Sequence, residues 1–215
     1  MSRRKNIENT LATSMSKLLL QDGFSYLKEN KELVCYESIV GDWKYGFSFY
    51  LCNNKPPYSV FANVYLANIA YEKIICELLD DDKFFFPYLS SWAAKFSDQL
   101  IPLKLHSEDD AFNKSSVLHS VFKDAEKSFL IPYSSEERIF SEFSNRRMIK
   151  WPLGGTINSC VVYLAAYGIK NKNREALELS FDRAINMADL CQTDVSRAEL
   201  KTIAEKLISK KFVSI

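Results

Sequence analysis

The sequence predicts an α+β fold: an antiparallel four-stranded meander flanked by helices, with a mostly helical C-terminal half packed on it. Three observations carry that reading. Between residues 43 and 52, Trp43, Tyr45, Phe47, Phe49 and Leu51 alternate with Lys44, Gly46, Ser48, Tyr50 and Cys52, the period-two pattern of a half-buried strand. Asn53, Asn54, Lys55, Pro56 and Pro57 then supply turn chemistry, and Tyr58 to Leu66 returns as a second, nearly all-apolar strand. Beyond Asp110 the apolar residues recur mainly at three- and four-residue intervals, the period of helices.

The elements follow in order. Ile7, Leu11, Met15, Leu18 and Leu19 form one helical stripe, stopped at Gly23, where a glycine can take the left-handed cap. Phe24, Tyr26 and Leu33 to Tyr36, around Glu29-Asn30-Lys31, give a leading hairpin, with Gly41-Asp42 as the turn into the main one. In the strand 58–66, Val60, Ala62, Val64 and Leu66 share one face, and Phe61 and Tyr65 join Ser59 and Asn63 on the other. Asn68 is placed to cap a helix from Ile69 to Leu79, expected to lie across the apolar face of the hairpin. Behind Pro87, the spacing of Leu89, Trp92, Ala93, Phe96 and Leu100 predicts a helix of about a dozen residues. Ile101 to Leu105 is a short extended piece, and Ser107 to Asp110 reads as a polar acidic loop between sub-structures.

Further on, Val117, Leu118, Val121 and Phe122 mark one helix, and a Ser134–Glu137 capping box opens another through Ile139, Phe140 and Phe143. Trp151 to Gly155 breaks the pattern. Thr156 then opens an unusually apolar, largely buried helix through Cys160, Val161, Leu164 and Tyr167, with its cap expected at Gly168. Leu177, Phe181, Ile185 and Ala188 define another helix, and Leu200, Ile203, Ala204 and Leu207 a last one behind a Ser196–Glu199 capping box. No internal period recurs. The whole is expected to be a single compact domain over 1–215, with a helix-plus-sheet part at 1–105 and a helical part at 106–215.

Composition bounds the function classes. With 215 residues, 47% apolar and 26% charged, the chain has material for a full core. It has no run of about eighteen apolar residues and no apolar signal-peptide core after its first residues, so no membrane contact and a cytoplasmic location are expected. Five cysteines, Cys35, Cys52, Cys76, Cys160 and Cys191, have neither zinc-knuckle spacing nor the look of a disulfide framework; they read as reduced and mostly buried. The net charge of +1 gives no global drive toward nucleic acid. Residues 1–110 hold 12 Lys+Arg against 15 Asp+Glu and residues 111–215 hold 16 against 12, an asymmetry no larger than scatter among solvated side chains.

Each chemistry has an ordinary reading beside it. His106 and His119 have no ligand partner at a recognised spacing, so no metal and no cofactor are inferred. Any of the five cysteines could be paired with His119 on paper, and no nucleophile elbow is present. Gly154-Gly155-Thr156 at a helix start has the form of an anion site but lacks the lysine of a phosphate loop. Glu37 with Asp42-Trp43-Lys44 resembles the acidic-x-Lys element of metal-dependent nucleases, a pattern that also arises as a turn aspartate beside an edge lysine. Asp80, Asp81 and Asp82 form an exposed acidic run, a solvated break or a contact for a basic partner. Tyr50, Phe61 and Tyr65 face away from the main apolar face. Aromatic side chains on an open sheet can stack bases, but lysines are not gathered around these, and a second core layer under helices is expected instead.

The amphipathic first helix, Gly23-Phe24, the strand Trp43-Lys44-Tyr45-Gly46-Phe47, the strand ending Val64-Tyr65-Leu66 and the helix behind it resemble small uncharacterised bacterial proteins, including immunity proteins that neutralise toxins of rival cells. The resemblance covers about residues 7–79 and consists of pattern. Immunity families share no catalytic residues, so it carries no residue roles. It implies a non-enzymatic protein that binds a protein partner, a toxin among the candidates; the candidate binding residues, Tyr50, Phe61, Tyr65 and Asp80 to Asp82, come instead from the strand alternation and the acidic run. The alternatives are a nucleic-acid-binding protein that uses the aromatic sheet face, or a nuclease-like enzyme.

Overall fold

The computed structural model describes residues 2–27, 34–79, 89–97, 103–145, 157–187, 194–210 and 212. Within these, the chain forms two compact units, each discontinuous in sequence: unit 1 is Met1–Leu66 with Ser90–Pro132, and unit 2 is Ala67–Leu89 with Tyr133–Ile215.

Unit 1 is built on the meander. Strands β1 (Ser25–Leu27), β2 (Val34–Val40), β3 (Trp43–Cys52) and β4 (Tyr58–Asn68) lie side by side in chain order. The register sets Tyr26 against Tyr36, Tyr36 against Phe47, and Val34 against Phe49, so the inner face is an aromatic layer. Two further strands extend the expected four. β5 (Leu89–Trp92) neighbours β4, and β6 (Leu103–Leu105) pairs antiparallel with Tyr58–Val60. Residues 89–96 are therefore not a helix but a strand followed by a 3₁₀ turn, Ala93–Phe96. An apolar run this short fits either period, and the unpaired edge of β4 decides it, because backbone donors and acceptors there need a ladder.

Helices α1 (Arg3–Gln21) and α3 (Glu108–Ala125) cover the inner face. Ile7, Leu11, Met15 and Leu19 of α1 are fully buried, as the stripe predicts. α1 ends with Gly23 at φ +84°, while Phe24 N–H donates to the Leu19 carbonyl at 2.9 Å, the bond of a left-handed cap. Phe122 of α3 meets Phe47 at 4.6 Å and Phe24 at 4.9 Å between ring centroids. The Tyr36 hydroxyl donates to the Ala12 carbonyl at 2.7 Å, and burial pushes its pKa up to about 12. Ser107 to Asp110 is not a dividing loop. Ser107 caps α3, accepting from Asp110 N–H, and the three acidic residues fill the first turn, where negative charge suits the helix dipole. A π-helical segment, Glu126–Leu130, and the short α4 (Ile131–Tyr133) follow.

Unit 2 is helical: α2 (Ile69–Leu79), α5 (Glu136–Ser144), α6 (Ile157–Asn171), α7 (Arg174–Asn186) and α8 (Asp194–Ser209). Asn68 caps α2 as expected, its Oδ1 accepting from Ala70 and Tyr71 N–H. α2 packs on α6 and α8, whereas the hairpin face it was expected to cover is taken by α1 and α3. The N-cap of α5 is Ser135, one residue later than the expected box, and it accepts from Arg138 N–H. Gly168 is not a cap. It lies inside α6, where an added Cβ would stand 2.6 Å from Leu177 Cγ, so its role is to let α7 approach. The helix ends three residues later, with Lys172 at φ +51° and Asn173 N–H donating to the Gly168 carbonyl. In α7 the buried face runs through Ala176, Leu177, Ser180, Arg183 and Ala184, leaving Ile185 exposed; in α8 the expected stripe from Leu200 to Leu207 is buried. α8 begins at Asp194, so Ser196 lies inside the helix rather than capping it.

Candidate functional site

With α1 and α3 on the inner face, the outer face of the sheet in unit 1 carries the side chains that alternate with the core. Tyr50 on β3 and Phe61 on β4 lie with ring centroids 5.6 Å apart and planes 16° from parallel. Phe61 also packs perpendicular to Trp92 of β5, with ring centroids 5.4 Å apart and planes at 87°. Three adjacent strands thus contribute one aromatic cluster. It is not the second core layer expected of it: Tyr50 and Phe61 are half-buried and Trp92 is 52% exposed. The reason is topological, since α1 and α3 both pack on the opposite face.

Tyr65 lies on the same face but takes a different partner. Its ring rests on Gly46, where a Cβ would come within 1.8 Å of it, and its hydroxyl donates to Glu37 Oε1 at 2.6 Å. Gly46 is the residue that makes this possible, because any side chain would occupy the ring's place. The contact ties β4 to β2 across β3. It also engages the Glu37 carboxylate that the nuclease-like reading needed. Among the described residues, no group of three or more His, Cys, Asp or Glu is arranged to hold a metal ion. At the end of the sheet, Lys104 on β6 donates to Ser59 Oγ at 2.7 Å.

The structure therefore brings Tyr50 and Phe61 together, sets Tyr65 apart with Glu37, and adds Trp92. Asp80, Asp81 and Asp82 lie outside the described residues, as do Gly154-Gly155-Thr156 and Cys191. Trp92 was missed because its spacing to Leu89, Ala93 and Phe96 imitates a helix; the signal against that period is Ser90-Ser91, poor helix formers beside a residue that favours strands.

Several other polar groups are engaged within the fold, while the buried Asn68 Nδ2 has no hydrogen-bond partner among the described residues. In unit 2, Glu136 accepts from Lys170 on one oxygen and from Asn171 Nδ2 and the Tyr71 hydroxyl on the other, at 3.0 and 3.1 Å. Burial raises the pKa of Glu136, but the bonds from Asn171 and Lys170 and the Lys170 charge outweigh it, so the carboxyl titrates below its ordinary range. The phenol of Tyr71, fully buried, is held well above its ordinary value by that burial and by the Glu136 charge. A carboxylate so engaged is a structural acceptor rather than a base. Arg183, itself buried, donates to Cys160 Sγ at 2.9 Å and to the Ser144 carbonyl at 3.3 Å. Burial pushes the Cys160 thiol up, with Arg183 pulling less strongly the other way, which is the opposite of an activated nucleophile. In unit 1, His119 Nε2 lies 2.6 Å from Asp22 Oδ2, joining the end of α1 to α3, and His106 is exposed with its backbone N–H donating to Asp110. Among the described residues, Cys35, Cys52, Cys76 and Cys160 form no disulfide bond.

No helix among the described residues is long and apolar enough to cross a membrane. Compared with family models, curated proteins and solved structures, the chain matches none.

Proposed function

We propose that this chain is a non-enzymatic protein-binding protein whose contact surface is the aromatic outer face of the sheet, with Tyr50, Phe61 and Trp92 as anchors and Tyr65 as their rigid neighbour. The observation that carries the reading is the exposure of Trp92 against an ordered Phe61–Tyr50 pair. Large aromatic side chains held rigid and partly solvated are the residues that dominate protein interfaces. Within this reading the partner class is a toxin, for which the support is the likeness of residues 7–79 to immunity proteins. Cytoplasmic neutralisation of such a toxin is part of the same proposal.

Base stacking is the rival use of such a face. Two near-parallel rings whose centroids are 5.6 Å apart are offset-stacked, so each covers part of the face that a base would need. Lys104, paired with Ser59 at the end of the sheet, is engaged with the Ser59 hydroxyl.

The test is affinity capture from the source cells with the wild-type chain, Phe61→Ala and Trp92→Ala, followed by titration of the recovered partner. A partner encoded beside this gene as a secreted toxin is the expected catch. Truncating an anchor should weaken binding by about 2 kcal/mol, roughly thirtyfold in Kd, and Trp92→Ala, at the more exposed position, should do so with little change in melting temperature. Affinity unchanged in both variants would remove the sheet face from the proposal. Labelled RNA and DNA, titrated at about 50 mM salt, supply the opposing result: micromolar binding lost in Tyr50→Ala and steeply weakened by salt would replace the protein partner with a nucleic acid.

A further inference from the structure

We draw no further inference here: the strongest candidate outside the sheet face, the buried Arg183–Cys160 contact between α6 and α7, carries nothing because it is a lone cysteine whose guanidinium neighbour also bonds the Ser144 carbonyl at the end of α5, and no second observation points to a ligand.

Discussion

Gly46 shows how much a single position can decide on this sheet. Adding one methyl group there sets it 1.8 Å from the Tyr65 ring, so Tyr65 must leave its place and release Glu37. Gly46→Ala should therefore destabilise the fold by about 1 to 3 kcal/mol, the usual range for overpacking. Combining it with Tyr65→Ala should recover part of that loss, because the clash disappears; strictly additive losses in denaturant unfolding would show that the two residues do not compete for one space. Phe47 makes the contrasting case of a residue that fills space. It is fully buried against Tyr36, Phe49 and Phe122, and Phe47→Ala should cost about 3 to 5 kcal/mol. A cost below about 1 kcal/mol would contradict its place in the core.

At the scale of elements, the α5 cap and its first turn give two measurements. Ser135 and Ser134 are adjacent and chemically identical, yet only Ser135 accepts the Arg138 N–H at the helix start. Ser135→Ala should cost about 1 kcal/mol in denaturant unfolding; no measurable loss would mean that Ser135 does not cap the helix. Glu136, next in the chain, ties α5 to α2 and α6 through Tyr71, Lys170 and Asn171. Its folded pKa lies below the unfolded value, so the unfolded chain binds the proton more readily. The stability it contributes is thus present above the ordinary carboxylate range and lost as pH falls through the lowered folded value. Melting temperature measured against pH should fall less steeply in Glu136→Gln than in the wild type across that acid window. Parallel curves would show that Glu136 does not contribute to the acid limb. The register of the capping signal was legible to within one residue, since Ser134 and Ser135 present the same chemistry and only the path of the chain into the helix separates them.

For the whole molecule, the interleaved course of the chain sets a sharper condition than a cut between halves. Unit 1 needs α3 from beyond residue 105, because Phe122 closes over Phe24 and Phe47. A fragment of residues 1–105 should accordingly lack cooperative unfolding and dispersed amide resonances, whereas the intact chain should show both. A cooperative fragment would make α3 dispensable to unit 1. Neither a chelator nor a reductant should shift the melting temperature of the full chain, since the described cysteines form no disulfide and no group of three or more metal-ligating side chains is formed among the described residues. A drop of many degrees with either would assign a structural role to bonds outside those residues.

What the sequence by itself determined is local. The period-two alternation of Trp43 to Cys52, the Asn53–Pro57 turn, the α1 stripe closed by Gly23 and the Asn68 cap are all properties of neighbouring residues, and they specify the antiparallel meander and the helices before and after it. The outward position of Tyr50, Phe61 and Tyr65 follows from the same alternation. What only tertiary structure decided is which surface meets which. Leu89 to Phe96 satisfies a helical period as well as a strand, and the free edge of β4 chose the strand. Asn68 announces a helix but not its partner, so α2 packs with α6 and α8 while α3, remote in sequence, covers the hairpin. Trp92 joined Phe61 through that same pairing, and the outer face stayed half-exposed because α1 and α3 pack on the other side. Apolar faces are interchangeable in sequence; their pairing is set by shape and by the need to satisfy every strand edge, neither of which is a property of any one segment.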